Sequence, residues 1–350
     1  MSPYLGLLSM ASLALIMGLV LLLPFSVKKV EEELEAFLLV MGGLAVTASG
    51  SWSLHLIRES LVEPIKISLA VLAVGFLFRL ARPHLRQAVS RIVRLLGLRL
   101  AVFAIVLLLG LSSSLITAII AALILAETVT ALRLERHYEV RLVVCACYAI
   151  GLGAALTPLG EPLSTIVVSK LKGPPHNADF LYLARLLGSW IVPGIALTAA
   201  AAAWKVGRHA AAADSLHEDK VEQDRDIILR AAKVYAFVMA LVYLGAGLSP
   251  LAERTVAAVP DWALYWLNSA SAILDNATLA AAEIVPAMSP RKLTFILMGL
   301  LISGGMLIPG NIPNIISASK LGIRSREWAA AAVPLGLVLM TGYFILLLLA

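Results

Sequence analysis

Four carboxylates fall inside long apolar runs of this 350-residue chain: Glu127, Glu161, Asp275 and Glu283. A charged carboxylate in a region of low dielectric is costly, so one placed there points to ion or proton chemistry. Two of the four sit among clustered hydroxyls and amides. Asp275 follows Asn268, Ser269 and Ser271 and precedes Asn276 and Thr278, while Glu161 lies among Thr157, Ser164 and Thr165. Ser112, Ser113, Ser114 and Thr117 form a third polar core, and Asn311 and Asn314 a fourth. Hydroxyl, amide and carboxylate oxygens, with freed backbone carbonyls, suit a hard cation such as Na⁺. No Arg or Lys stands within these cores to hold an anion. Asp275, Glu161 and Asn311 are therefore the expected Na⁺ ligands.

The cores come in pairs. Residues 153–171 read GAALTPLGEPLSTIVVSKL and residues 304–321 read GGMLIPGNIPNIISASKL. Gly160 matches Gly310, and Ser169-Lys170-Leu171 matches Ser319-Lys320-Leu321, at a constant offset of 150. The segment Ala126–Leu132 likewise matches Ala282–Met288, which makes Glu127 and Glu283 equivalent. Pairing with a nearby cation is the simpler reading for that equivalent pair. Glu161 instead faces Asn311, and Asp275 faces Ile119, so these two acids break the repeat. Scaffold residues persist in both copies; acids present in only one look like substrate chemistry. The competing reading of Glu161 is an N-cap, since Glu161-Pro162 has the form of a helix start. Lys170 and Lys320 read as snorkelling or helix C-terminal charges.

The elements that must position these residues are membrane helices. The chain is 60% apolar and only 14% charged, against about 25% charge in soluble domains, too little to coat a water-facing surface. The first apolar run, Pro3–Phe25, has no cation before it and reads as a retained helix rather than a signal peptide. Further plain spans are expected at Glu35–Leu56, Pro64–Leu80, Ala178–Trp204, Ile227–Leu248 and Glu327–Leu349. Leu98–Leu132 is too long for one crossing: a straight helix of that length would measure ~50 Å against a hydrocarbon core of ~30 Å. A re-entrant hairpin with its tip at Ser112–Ser114 solves the length, and 253–288 reads the same way, with Asn268–Ser271 in its middle. The stretches 141–171 and 291–321 read as spans broken at their Pro/Gly motifs. The expected fold is thus an all-α polytopic membrane protein. Two N-terminal helices (1–60) precede repeat 1 (61–205), a cytoplasmic linker (206–226) and repeat 2 (227–350).

A re-entrant hairpin does not cross, so each repeat crosses three times and the second copy is inverted. The cluster Arg79, Arg82, Arg86, Arg91, Arg94 and Arg99 assigns its loop to the cytoplasm. Alternation from there gathers most of the 28 Lys and Arg on that side and puts both termini outside the plasma membrane. The arginine-rich segment itself reads as a topology anchor, with an interfacial helix as the alternative. Cys145 and Cys147 lie two apart on a helix and point in different directions, so they read as core. The six His make no ligand spacing. Neither an enzyme nor a nucleic-acid partner is expected.

Leu156-Thr157-Pro158-Leu159-Gly160-Glu161-Pro162 and Ile308-Pro309-Gly310-Asn311-Ile312-Pro313-Asn314 resemble the broken-helix motifs of the ion transporter superfamily. Leu274-Asp275-Asn276-Ala277-Thr278 looks like the Asp-Asn hairpin motif of its sodium/proton antiporter and arsenite branches. The short chain resembles that superfamily's small prokaryotic group of putative cation transporters. The resemblance covers roughly 98–171 and 253–321. It implies hairpins and broken helices at one site, elevator-type motion, a homodimer, and no cofactor beyond Na⁺ as coupling or transported ion. The chain departs from the pattern at Glu161, where a neutral residue is common, and in its serine run. The expectation is a sodium/proton antiporter in the lipid bilayer. The alternative is a sodium-coupled symporter of a small anion (a carboxylate, bicarbonate or an oxyanion).

Overall fold

The computed structural model describes residues 3–27, 29–30, 33–206, 224–256, 259–273 and 276–350. Among these residues every regular element is a helix. In chain order they are α1 (Pro3–Ser26), α2 (Leu34–Ser49), α3 (Leu54–Ile116), α4 (Ala118–Leu132), α5 (Arg136–Ala154), α6 (Pro162–Lys170), α7 (Tyr182–Val206) and α8 (Asp224–Val256). Then come α9 (Asp261–Leu267), a 3₁₀ turn (Asn268–Ala272), α10 (Asn276–Glu283), α11 (Pro290–Gly304), a second 3₁₀ turn (Ile308–Gly310), α12 (Ile312–Leu321) and α13 (Ser325–Leu349). Helices are the natural outcome for apolar segments of this kind, since each satisfies its own backbone hydrogen bonds without water. Among the described residues, Gln87–Ile116, Tyr182–Trp204, Ile227–Leu251 and Ser325–Leu349 are long and apolar enough to cross a membrane.

Three expected boundaries move. The span expected at Glu35–Leu56 ends at Ser49, where Gly50 takes the left-handed C-cap conformation (φ 68°) that favours glycine. Its 16 residues reach only ~24 Å. Second, the span expected at 64–80, the arginine-rich segment and the first arm of 98–132 form one helical run, α3, interrupted only at Gly97 (φ 74°). The arginines therefore lie along a helix rather than in a connecting loop. Third, Ser112–Ser114 are helical. The interruption comes at Thr117, a non-glycine residue at φ 74°, because the serine hydroxyls bond back to carbonyls one turn earlier and leave the helix intact (Ser112 to Leu109 O, Ser113 to Gly110 O, Ser114 to Leu111 O). Most of the expected linker lies outside the described residues.

The core joins distant parts of the chain. α2 packs along α8, and α3 packs against α5, α7 and α8. The α2–α8 approach is close: a Cβ on Gly247 would stand 2.5 Å from the Ala45 carbonyl carbon. Near the two breaks the packing is crossed. α4 lies on α12, and α10 lies on α6, so each short helix rests on the broken helix of the other half of the chain. Tyr148 of α5 is fully buried, with its ring on Gly305 and its hydroxyl donating to Ala332 O at 2.9 Å.

One side chain ties three helix ends together. Arg136, at the start of α5, donates to both carboxylate oxygens of Glu327 (3.1 and 2.9 Å), to Glu139 Oε1 (3.0 Å) and to the carbonyls of Leu321 (2.9 Å) and Gly322 (2.7 Å). It thereby closes the C-terminus of α12 onto the N-terminus of α13, where Glu327 also accepts the Arg324 N–H at 2.9 Å. Planar guanidinium geometry is what allows two carboxylate oxygens and two carbonyls to be served at once. Arg136→Ala is expected to lower thermal stability by about 1–3 kcal/mol. Arg136→Lys should recover little of it in a melting experiment on the purified protein, because an ammonium cannot span the same set.

Candidate functional site

The helix breaks follow from their sequences. α5 stops at Ala154 and α6 begins at Pro162; α11 stops at Gly304 and α12 resumes at Ile312, with Pro313 in its first turn. Proline suits a first turn but has no N–H to carry a helix through. Each break leaves backbone groups without intrahelical partners, and in an apolar surrounding these must be met elsewhere.

They are met in the same way at both places. Ser164 Oγ donates to Ala154 O at 3.4 Å, and Asn314 Nδ2, 150 residues later, donates to Gly304 O at 2.9 Å. Asn314 Nδ2 also donates to Leu307 O at 2.9 Å. The break glycines are equally constrained: a Cβ on Gly160 would strike Ala154 O, and one on Gly310 would lie 2.6 Å from both Gly304 O and Ser271 O. Only glycine leaves room for that approach.

Each break meets a polar turn. Around the first, Thr157 Oγ1 donates to Ser114 O at 2.5 Å, and the Ala118 N–H, just past the Thr117 interruption, donates to Gly160 O at 2.9 Å. Ser113 Oγ adds a bond to Ile150 O at 3.0 Å. Around the second, Ser271 Oγ donates to Leu300 O (3.2 Å), Asn268 Nδ2 to Ile296 O (3.2 Å), and Ser303 Oγ to Asn268 O (2.6 Å). Asn276 Nδ2 lies 3.7 Å, and Ser271 Oγ 3.5 Å, from the position of a Cβ on Gly304, so Asn276, Ser271 and Asn314 converge on one residue. The second break also reaches α5, because the buried Asn311 amide packs on Gly151, inside that helix and short of the first break, in the space a Cβ would need.

Thr157, Glu161, Ser164, Ser113, Ser114, Asn268, Ser271, Asn276, Asn311 and Asn314 are all buried in this region. Ser112 and Ser269 are half-buried and spend their hydroxyl protons on Leu109 O and Trp266 O. Thr165, also named from sequence, is exposed and donates to Pro158 O at 2.6 Å. Glu161 occupies the N-cap position of α6 but makes no side-chain capping bond. Asp275 and the Thr278 side chain lie outside the described residues.

Asn276 Nδ2 and Asn314 Oδ1 are buried and have no hydrogen-bond partner among the described residues. A buried orphan donor and acceptor each cost about 1–3 kcal/mol. A donor, an acceptor and nearby carbonyls constitute a place where a small polar ligand would be favoured. Among the described residues no group of three His, Cys, Asp or Glu forms a metal cluster.

Sequence reasoning missed three features here. Thr117 marks the first turn without any Gly or Pro at 116–118. Asn311 packs on Gly151 of α5, the helix that leads into the other break. A cavity of about 250 Å³, lined by Glu35, Lys233, Phe237, Ile315 and Ser319, reaches Ile308 of the second break. None of these has a local sequence signal, although Thr117 aligns with Ile273, just past the Asn268–Ala272 turn, at the 156-residue offset of the Ala126/Ala282 match.

An all-helical chain with apolar helices of membrane-crossing length, broken around a buried polar cluster, fits a membrane-embedded protein. Residues 10–350 match the family described as "Protein of unknown function (DUF1646)", and the chain belongs to that family. No curated protein matches the chain significantly.

Asn314→Ala would strand the carbonyls of Gly304 and Leu307, and is expected to lower thermal stability by about 2–4 kcal/mol. Ser164→Ala, which removes one long bond at the equivalent place, should cost less than half as much in the same melting experiment.

Proposed function

We infer that the chain is a secondary transporter that exchanges a small cation, Na⁺ in the first instance, for protons. The observation that carries this reading is that each helix break meets a polar turn, and that Asn276 Nδ2 and Asn314 Oδ1 beside the second are buried with no hydrogen-bond partner among the described residues. Irregular backbone at membrane depth is tolerated where it lines a cavity or meets protein, and paired discontinuous helices are the hallmark of transporter sites. This agrees with the resemblance of both break motifs to the ion transporter superfamily.

In this reading 98–132 and 253–288 are re-entrant hairpins, and the two repeats are inverted. The crossed packing of α4 on α12 and of α10 on α6 is what a two-fold axis in the membrane plane would produce. The cavity beside Ile308 is the water path to the second break. The cation is coordinated by Asp275, by Glu161, by the side-chain oxygens of Asn311 and Asn314, and by carbonyls freed at the breaks. Partly dry surroundings disfavour a bare carboxylate, so cation and proton compete for it. Alternating access follows from the unit of hairpins and broken helices sliding past α2, α8 and the part of α3 that precedes Gly97, with a homodimer as the scaffold. A second reading has one observation in its favour: the buried Asn276 Nδ2 donor has no partner among the described residues. A sodium-coupled symporter of a small anion would use that donor for the anion and reserve the oxygens for Na⁺.

Asp275→Asn in proteoliposomes is expected to reduce Na⁺-driven proton flux to background; flux at the level of the unmutated protein would refute this mechanism. Substrate-dependent Na⁺ uptake without proton movement would favour the symporter. Topology is tested separately. Cys145 and Cys147 are buried, so single cysteines at the exposed Glu135 and Asn177 report their own sides. An impermeant thiol reagent should reach residue 135 from the cytoplasm and residue 177 from outside, and the opposite pattern would overturn the inverted arrangement.

A further inference from the structure

Glu127 and Glu283 hold the same place in the two repeated sequences, as do Lys320 and Lys170. The structure treats the two sets differently. Glu127 and Lys320 form an ion pair with side chains 4% and 5% exposed, which clamps α4 to α12. In the other set Lys170 is exposed, and its Nζ donates to Ile284 O at 3.2 Å, one residue beyond Glu283. Glu283 itself is 4% exposed and faces the Asn268 side chain. Its Oε2 has no hydrogen-bond partner among the described residues.

The charged groups around it are few. α10, which ends at Glu283, packs on α6, α8, α11 and the Asn268–Ala272 turn. α6 brings Lys170, and the turn brings the uncharged Asn268. In α11, Arg291 lies over the Phe295 ring and donates to Leu347 O at 3.4 Å, while Lys292 pairs with Asp261 at 3.1 Å. The Glu253 and Arg254 side chains of α8 lie outside the described residues, as does Asp275. A buried carboxylate with an open oxygen is stable when it carries a proton or when a cation closes on it.

We propose that Glu283 is a proton-binding site whose proton is exchanged for the Lys170 ammonium. The carboxyl keeps its proton while Lys170 rests on the Ile284 carbonyl. When the ammonium swings onto the carboxylate, the proton leaves to the water at the exposed Lys170 end, and Lys170 stays protonated. The product is the arrangement Glu127 and Lys320 already hold, so the two sets are the released and closed forms of one latch. The proposal deepens the cation/proton exchange reading and rests on it for its purpose, but proton binding is measurable without transport.

The test is infrared difference spectroscopy of the full chain in lipid vesicles through a pH titration. One component of the protonated-carboxyl absorption of the unmutated protein should be lost in Glu283→Gln, shifted in frequency in the more conservative Glu283→Asp, and kept in Glu127→Gln. Lys170→Met should keep the carboxyl protonated to higher pH, because the competing cation is gone. A spectrum unchanged in Glu283→Gln and in Glu283→Asp overturns the proton site. A titration unmoved in Lys170→Met overturns the latch. A Glu283 band in a protein that carries no Na⁺-driven proton flux would sink the exchange reading and leave the proton site standing.

Discussion

Backbone groups freed in an apolar interior must find partners, and the site is built from the solution to that constraint. Two helices break, at 155–161 and 305–311, and each break exposes carbonyls that water cannot reach. Ser164 and Asn314 turn back to serve Ala154 O and Gly304 O, and the Ala118 N–H serves Gly160 O. Those bonds require the chain to double back closely, which is why Gly160 and Gly310 sit where a Cβ would collide with backbone. The same requirement draws the polar turns at Ser114–Ala118 and Asn268–Ala272 onto the breaks. A cluster of oxygens and amides at the centre of an apolar protein is thus a consequence of how the breaks are satisfied, and it is the chemistry a small ion needs.

The likeness of the two halves gives their differences meaning. Equivalent positions hold Ser164 and Asn314, and Glu161 and Asn311. One break therefore offers a carboxylate and a hydroxyl, the other two amides. Glu127 is closed by Lys320, while Oε2 of its counterpart Glu283 has no hydrogen-bond partner among the described residues. The repeated sequence sets the shape of both breaks, and departures between the copies change the charge and the polar groups at equivalent places.

Much of this was legible in the sequence, for physical reasons that also set the limits. The breaks could be read because Pro and Gly interrupt helices wherever they occur, and their offset of 150 residues marks them as a pair. The helical, apolar character followed from composition. The turn at Thr117 was invisible, since nothing in Ile116-Thr117-Ala118 forbids a helix and the bond that accompanies the positive φ, from the Ala118 N–H to Gly160 O, joins segments more than forty residues apart. The serines just before it looked like a tip, yet hydroxyls that bond one turn back leave a helix intact. Continuity of α3 through the arginine-rich segment was also hidden, because alternating Arg with Leu, Val and Ile is compatible with a loop anchor and with a helix. Asn311 on Gly151 and Glu127 on Lys320 are contacts between distant segments, and no local pattern encodes them.

The central claim is that one buried site is shared by cation and proton. It is tested most directly by the melting temperature of the purified full-length protein, measured with Na⁺ and, as a control, with an impermeant organic cation at matched ionic strength, across pH. A ligand that binds only the folded state raises stability with its concentration. The account predicts a Na⁺-dependent rise at alkaline pH that shrinks as pH falls and protons take the carboxylates. A rise of the same size at every pH, or no difference between Na⁺ and the organic cation, would contradict it.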